Sequence, residues 1–242
     1  MTIATPQPSP ETDRLIAAVE GADSAAGLLT ASAALARHLA GSQVPAPAAI
    51  TSLVQVLGFN NPGAAVAAVD GLIACGEAAV EPLLANLDAH NYGARAWAVR
   101  ALAGIGDVRG LELLEQALAS DIGPSVRRAA ARGLGQLRCG ALPQDGRLRV
   151  RGRALEALEA GGEDGEWVVR YAVVVGLEGL GLDLADPQLG AMAPETALLA
   201  RVRQALNRHQ DGDDTVPVVR LRARQALGRL NAIATREAME PQ

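Results

Sequence analysis

Apolar residues recur along this chain at helical spacing, and one stretch of nine residues is repeated. Four clear copies run over 94–102, 126–134, 169–177 and 219–227, and a diverged copy runs over 64–72. Every copy ends on an anchor leucine, and the clear copies are also apolar four residues before it and three after it. This stripe predicts one amphipathic helix per copy.

Further helical stretches alternate with these copies, so the unit of the repeat is a pair of helices. We predict first helices over 46–57, 77–87, 110–119, 147–160 and 194–208, N-terminal helices within 12–39, and loops over 139–146, 181–193 and 210–216. A single pair cannot cover its own apolar face, and stacked neighbours must do so. The chain is therefore predicted to be an all-α solenoid of HEAT-like repeats with at least ten helices.

The residue before each anchor leucine is always Gly or Ala: Gly71, Ala101, Gly133, Gly176 and Ala226. Glycine costs a helix about 1 kcal/mol relative to alanine unless close packing compensates. We therefore expect neighbouring repeats to stack tightly at this position. The solenoid is predicted to span 12–232, with a disordered tail at 1–11 and a C-terminal tail at 233–242.

Composition supports a helical protein and removes several function classes. Of the 242 residues, 49% are hydrophobic but only 2% are aromatic, which suits helix packing better than a sheet core. All 22 basic residues are arginine, so a P-loop lysine and a Schiff-base lysine are both missing. The net charge of -5 argues against nucleic-acid binding.

Other signals point to a cytoplasmic protein without metal or membrane insertion. Residues 1–10 lack the order of a signal peptide, and no uninterrupted apolar run reaches bilayer length. Cys75 and Cys139 form no metal-binding pair. We expect Cys75 to be a buried core residue and Cys139 to lie in a loop past a helix end.

Three segments go beyond a generic repeat: 58–72, 90–102 and 125–135. The second contains the run Asn91-Tyr92-Gly93-Ala94-Arg95-Ala96-Trp97, which is not HEAT consensus. Over about residues 50–180, these segments resemble the F subunits of the E/F-type phycobilin lyases. Relatives that also isomerise the pigment carry a His-Cys pair where this chain has Asn91-Tyr92-Gly93, which argues against isomerisation but leaves it open.

The resemblance implies an enzyme that works as a heterodimer with an E-type subunit. Such an enzyme attaches an open-chain tetrapyrrole, here expected to be phycocyanobilin, through a thioether to a cysteine of a phycocyanin-type α subunit. The bilin is then a substrate, and no cofactor is expected. The alternative is a non-catalytic HEAT-repeat scaffold or chaperone for phycobilisome assembly, because the fold alone fits both.

A bilin presents propionates, pyrrole N–H groups and a flat π-surface, which suit arginine forks, carboxylates and aromatic faces. The candidate bilin-binding residues are Tyr92, Arg95, Trp97, Arg127, Arg128, Trp167, Arg170 and Tyr171. The catalytic residue is left open. Candidates for contact with the partner subunit are Asn60, Asn61, His90, Asn91 and Arg100.

Two of these candidate groups also have a purely structural interpretation. Arg95, Arg127, Arg170 and Arg220 stand seven residues before successive anchors and so form a ladder. These arginines could instead bond turn carbonyls or acids of adjacent repeats such as Asp107 and Asp121. Ten residues before the anchor the copies read Pro62, Tyr92, Pro124, Trp167 and Pro217. Proline suits a helix start, whereas the two aromatic residues either border a pigment groove or fill gaps in the core.

Overall fold

A computed structural model describes residues 9–86, 91–186, 193–210 and 214–239, with side chains to residue 233. Across these ranges the chain forms α-helices and two short 3-10 helices, with no strand. The chain divides into two compact units, Met1–Asp107 and Val108–Gln242. The predicted all-α, HEAT-like repeat architecture is confirmed.

The first unit contains six of the described α-helices. They are α1 (Pro10–Glu20), α2 (Ala25–Ala40), α3 (Pro47–Val56), α4 (Pro62–Cys75), α5 (Val80–Ala85) and α6 (Tyr92–Ile105). Helix α4 packs between α2 and α6, and α3 packs against α4 and α5. Serine or asparagine side chains cap α1, α2, α4 and α6, which satisfies amide groups that a helix start leaves open.

The second unit contains the other six described α-helices. They are α7 (Leu111–Ser120), α8 (Pro124–Leu134), α9 (Gln144–Gly161), α10 (Trp167–Leu184), α11 (Ala193–Gln210) and α12 (Pro217–Met239). Helix α10 packs between α8 and α12, while α9 packs between α7 and α11. The second helices of the repeats thus form one layer and the first helices another.

The tight stacking predicted before the anchor leucines is confirmed at Gly71 and Gly176. A Cβ at Gly71 would lie 2.7 Å from the Cβ of Ala36 on α2. A Cβ at Gly176 would overlap the carbonyl oxygen of Ala131, and one at Gly135 would overlap the backbone of Gly176. Helices α8 and α10 therefore touch through their backbones, which only glycine permits.

Helix limits differ from the prediction at several points. Helix α10 continues to Leu184 into the predicted loop 181–193, because Gly181 packs against Leu230 and Val202. Helix α9 begins at Gln144, inside the predicted loop 139–146. Helices also reach beyond the predicted 12–232 repeat region, since α1 begins at Pro10 and α12 ends at Met239.

The stretch Pro62–Ala85 has the length and mean hydropathy, 1.5, of a membrane span. It is not one α-helix, because α4 ends at Cys75 and Gly76 adopts a φ of 59° before a 3-10 turn. At 1.5 Å per residue, the 14 residues of α4 are too short to cross a hydrocarbon core of about 30 Å. Half of the apolar window is buried inside the protein, as in a core helix.

Candidate functional site

The arginine ladder of the second unit joins each repeat to the next. Arg127 donates from Nη1 to the carbonyl oxygen of Asp121 at 2.8 Å, in the turn before its own helix. Its Nε and Nη2 donate to the two carboxylate oxygens of Asp164 at 2.6 and 3.0 Å, in the following repeat. Because planar guanidinium and carboxylate groups match, this bidentate pair fixes the joint between the repeats.

The next joint repeats the same geometry. Arg170 donates from Nη1 to the carbonyl oxygen of Asp164 at 2.7 Å, and from Nε and Nη2 to Asp214 at 2.6 and 3.1 Å. Arg220 continues the series by donating to the carbonyl oxygen of Asp214 at 2.7 Å. Each aspartate also caps its own turn, since Asp164 Oδ1 accepts from Glu166 N and Asp214 Oδ1 from Val216 N.

The ladder carboxyls are held in their ionised form. The hydrogen bond from Arg127 is the largest effect on Asp164 and lowers the pKa of that carboxyl. Burial is the largest effect on Asp214 and by itself raises its pKa, but the bonds from Arg170 and Val216 together with nearby positive charge outweigh burial and lower it. The same bonds raise the pKa of Arg127 and Arg170. All four groups stay charged at neutral pH.

In the second unit these contacts match the alternative interpretation of the ladder, in which its arginines bond turn carbonyls and acids of adjacent repeats. The donors of Arg127 and Arg170 are committed to turn carbonyls and aspartates, so a bilin propionate would have to displace a carboxylate from either arginine. Their assignment as bilin-binding residues stays a prediction. Arg95, the equivalent residue of the first unit, is half-buried in α6, and its role in binding is also a prediction.

Sequence reasoning missed the acceptors of this ladder, Asp164 and Asp214. A signal for them was available, because Asp121, Asp164 and Asp214 all stand thirteen residues before an anchor leucine. An acid at a fixed offset from an arginine in successive repeats is the pattern expected of a ladder between repeats.

The joints of the first unit use asparagine instead. Asn61 Oδ1 accepts from Ala64 N at 3.1 Å, and its Nδ2 donates to the carbonyl oxygen of Ala25 at 2.8 Å. Asn91 caps α6 in the same way, accepting from Ala94 N at 3.0 Å and donating to Gly58 at 3.3 Å. Contact of these asparagines with a partner stays a prediction, and His90 lies outside the described residues.

A small pocket lies beside these asparagine joints. Its volume is about 280 Å³, and it is lined by residues 57–62 together with Asn91, Gly93 and Trp97. Phe59 and Asn60 are exposed, and Trp97 is half-buried. The exposed guanidinium of Arg100 lies 5.0 Å from the centre of the Trp97 ring, a cation–π distance. The structure thus brings Asn60 and Asn91, which were predicted to contact the partner, next to Trp97, which was predicted to bind bilin.

The aromatic residues at the helix starts do not fill gaps in the core. Tyr92 is 61% exposed at the start of α6, and Trp167 is 45% exposed at the start of α10. One turn further, Trp97 and Tyr171 are half-buried. The core alternative is therefore wrong for Tyr92 and Trp167. Tyr92 and Trp97 belong to the first unit, and Trp167 and Tyr171 belong to the second.

A larger pocket of about 390 Å³ lies within the second unit, between α9, α10 and α11. His209 lines it with Asp214, Arg170 and Gly162, and its Nδ1 lies 3.7 Å from the Asp214 carboxylate. Burial lowers the pKa of His209, with Asp214 opposing this effect. The imidazole is therefore neutral at pH 7 and is able to accept a proton. Sequence reasoning singled out no role for it.

Neither cysteine is positioned to carry a bilin. Cys75 is buried in α4, as predicted, and burial raises the pKa of its thiol to about 11. Cys139 lies outside a helix, as expected, but it is only 1% exposed, and burial also raises the pKa of its thiol. Over the described ranges, no group of three or more His, Cys, Asp or Glu side chains forms a metal site.

Comparison with known proteins places this chain in a family. The family model for HEAT repeats matches residues 50–135 and 80–178. The chain is 55% identical over 172 residues to phycocyanin alpha phycocyanobilin lyase CpcF of Synechocystis, covering 71% of this chain and 78% of that protein. It is 46% identical over 215 residues to phycocyanobilin lyase subunit beta of Thermosynechococcus vestitus, covering 88% and 93% respectively.

A solved structure agrees with these relatives. The complex of CpcE and CpcF of phycocyanin lyase from Nostoc matches with a TM-score of 0.63 and 41% identity. The match covers 74% of this chain and 98% of that one. The resemblance seen in the segments around Asn91 and Arg127 is therefore confirmed, and the chain belongs to the F-type, or beta, subunits of the HEAT-repeat phycocyanobilin lyases.

Proposed function

We propose that this chain is the F-type half of a heterodimeric lyase that attaches phycocyanobilin to a cysteine of a phycocyanin α subunit. The observation that carries the proposal is the 55% identity with a phycocyanin alpha phycocyanobilin lyase. The partner is an E-type subunit, as in the CpcE and CpcF complex to which the chain is similar. The reaction takes place in the cytoplasm.

The chemistry asks little of the protein beyond orientation. The thiol of the acceptor adds to the ethylidene group of the bilin, so a carbon–sulfur bond forms at the exocyclic carbon and a proton reaches the adjacent ring carbon. No oxidant or reductant is consumed. Holding pigment and thiol together supplies most of the rate enhancement, as for other reactions between two oriented groups.

The exposed side chains of the described residues suit such a pigment. Tyr92 and Trp167 present aromatic surface at helix starts, and Arg100 and Arg128 present exposed guanidinium groups. Aromatic faces bind a flat conjugated ligand, and arginine binds its carboxylates. The buried cysteines are not carriers in this proposal, so the bilin passes directly to the acceptor.

The test is co-expression of this chain with an E-type subunit, a phycocyanin α subunit and a source of phycocyanobilin. We expect an α subunit that keeps its colour in acid urea, which shows covalent attachment. Omitting either lyase subunit, or replacing the acceptor cysteine with serine, should leave the α subunit colourless.

An α subunit that is bound and folded but unpigmented would overturn the proposal. That result would favour the alternative of a scaffold or chaperone. The spectrum of the attached pigment reports separately on isomerisation, which the Asn91-Tyr92-Gly93 sequence leads us not to expect.

A further inference from the structure

Helix α8 and the segment that follows it carry positive charge with no acid beside it in sequence. Residues 122–144 contain four arginines and no acid, although the whole chain has a net charge of -5. Arg127 is paired with Asp164, as described above. Arg128, Arg132 and Arg138 are exposed, and none of them forms an ion pair within the described part of the chain.

Arg128 and Arg132 lie one turn apart on the same face of α8. At this spacing the Cβ atoms of a helix are about 5–6 Å apart, and like charges destabilise the helix by a few tenths of a kcal/mol. Other arginines of the second unit reach acids on neighbouring helices: Arg153 bonds Glu115, Arg201 bonds Glu159 and Arg222 bonds Glu178. The α8 pair lacks this compensation, which a ligand with carboxylates would supply.

The neighbouring helix α10 places aromatic surface next to this pair. Tyr171 stands at the same repeat position as Arg128, six residues before the anchor leucine, so the two side chains face the same way. Helices α8 and α10 pack against each other and touch at Gly135 and Gly176, so Tyr171 lies on the helix next to that of Arg128. Trp167 lies one turn before Tyr171 and is 45% exposed.

We propose that Arg128 and Arg132 bind the two propionates of the bilin, while Tyr171 and Trp167 border its conjugated system. The inference rests on the proposed lyase function and deepens it by placing the pigment on the layer of α8 and α10. Phycocyanobilin carries its propionates on adjacent pyrrole rings, which matches two guanidinium groups one helical turn apart. Each arginine then donates charge-assisted hydrogen bonds to one propionate carboxylate.

The assignment also separates two kinds of arginine on one helix. Arg127 is held by the carboxylate of Asp164 and two turn carbonyls, so its role is to join repeats. Arg128, the next residue, points to solvent with its donors available. Arg132 was not among the residues predicted to bind bilin. It joins the proposed binding residues because it lies one turn from Arg128.

The experiment compares two ligands on the purified heterodimer. Phycocyanobilin and its dimethyl ester, which lacks both carboxylates, are titrated and followed by the absorbance change of the bound pigment. Arg128→Gln combined with Arg132→Gln should weaken binding of the free acid about tenfold or more, and leave binding of the ester unchanged. The wild-type heterodimer should bind the acid more tightly than the ester.

A matched control changes the net charge equally without touching α8. Arg37→Gln combined with Arg149→Gln removes two exposed charges on α2 and α9 and should bind both ligands like the wild type. Arg128→Lys with Arg132→Lys should recover part of the lost affinity, because charge is restored without the planar fork. Circular dichroism and the melting temperature show that each variant is folded.

The outcomes separate this inference from the proposed function. If the wild type transfers pigment and the Gln variant binds the free acid as tightly, the lyase assignment stands and the arginine pair is overturned. Equal weakening for acid and ester would also overturn it, since the pair would then act on something other than the propionates. If the wild type transfers no pigment at all, the proposed function itself fails.

Discussion

The two units of this protein solve the same structural problem with different side chains. In each repeat the chain must turn from the first helix into the second and stay attached to the neighbouring repeat. In the first unit a neutral asparagine does both, because its oxygen caps the helix and its amide nitrogen donates to the previous repeat. In the second unit an aspartate caps the turn, and an arginine of the previous repeat holds that aspartate.

In the second unit arginine serves two purposes, because some arginines join repeats and others remain exposed. Arg127 and Arg170 are bound to aspartates at the charged joints. The arginines that remain exposed on the same layer of second helices are a separate group. An asparagine joint involves no arginine. Loss of one hydrogen-bonding partner there costs less stability, because no charge is left unpaired. The second unit should therefore be more sensitive to substitution and to acid at its joints than the first.

The largest effect is expected from Asp214→Ala. The Asp214 side chain is 1% exposed, and its removal leaves the guanidinium of Arg170, itself 15% exposed, without its carboxylate. Breaking a buried pair by removing one partner costs about 3–5 kcal/mol. Urea unfolding followed by circular dichroism should show this loss in the free energy of unfolding.

The control for Asp214→Ala is Glu163→Ala, which removes an exposed carboxylate from the same region. Its effect should stay within about 0.5 kcal/mol. A similarly small effect at Asp214 would mean that the ladder holds no more stability than a surface ion pair, and the contrast between the units would disappear.

Acid should weaken the second unit next most strongly. The pKa values of Asp164 and Asp214 are lowered in the folded protein, so their contribution is present above the ordinary value of 3.8 and is lost as pH falls through the lower folded values. The loss is smaller than on deletion, because a protonated carboxyl still forms hydrogen bonds. The double variant Asp164→Asn with Asp214→Asn should show a flatter fall in the free energy of unfolding below pH 4.

His209 adds to the acid sensitivity at higher pH. Its pKa is lowered by burial from the ordinary 6.5, so the unfolded chain takes up a proton first and stability falls as pH drops below that value. His209→Gln should remove this part of the pH dependence and keep the part below pH 4. A pH profile unchanged by His209→Gln would show that the imidazole is not buried in solution.

Much of this architecture follows from the sequence. The apolar stripe and the small residues before the anchor leucines recur at fixed repeat positions, where they predict the helices and their close stacking. Gly71 and Gly176 are required by close packing of neighbouring helices, and proline at the starts of α4, α8 and α12 sets the helix limits. The end of α10 was missed because residues 181–193 were predicted to be a loop, whereas Gly176, Gly179 and Gly181 all lie inside the helix. In the structure these glycines allow neighbouring helices to approach instead.

Side-chain roles were harder to predict than helices. Arg127 and Arg128 are adjacent in sequence and both were predicted to bind bilin, yet one is held by Asp164 and the other is exposed. Cys139 lies outside a helix, as expected, but is buried, with charged groups of Arg147 and Arg151 on α9 and Asp183 on α10 nearby. Local sequence does not report burial that comes from residues far along the chain.

A smaller effect is expected at the asparagine joints. Asn91→Ala removes the acceptor for Ala94 N and the donor to Gly58, all neutral groups. Loss of a helix cap costs about 1 kcal/mol. Asn91→Asp should keep the cap and most of the stability, and a loss at Asn91→Ala as large as at Asp214→Ala would contradict the contrast between neutral and charged joints.

The smallest effect on stability is expected at the exposed aromatic residues, which occupy equivalent positions in the two units. Tyr92→Ala and Trp167→Ala remove side chains that are 61% and 45% exposed, so each should shift the melting temperature by only a few degrees. Truncating a large core side chain would instead cost about 3–5 kcal/mol. Under the proposed function, both variants should lose pigment transfer while remaining folded. Loss only at Trp167 would restrict pigment contact to the second unit, and normal transfer by both would remove these helix starts from the bilin site.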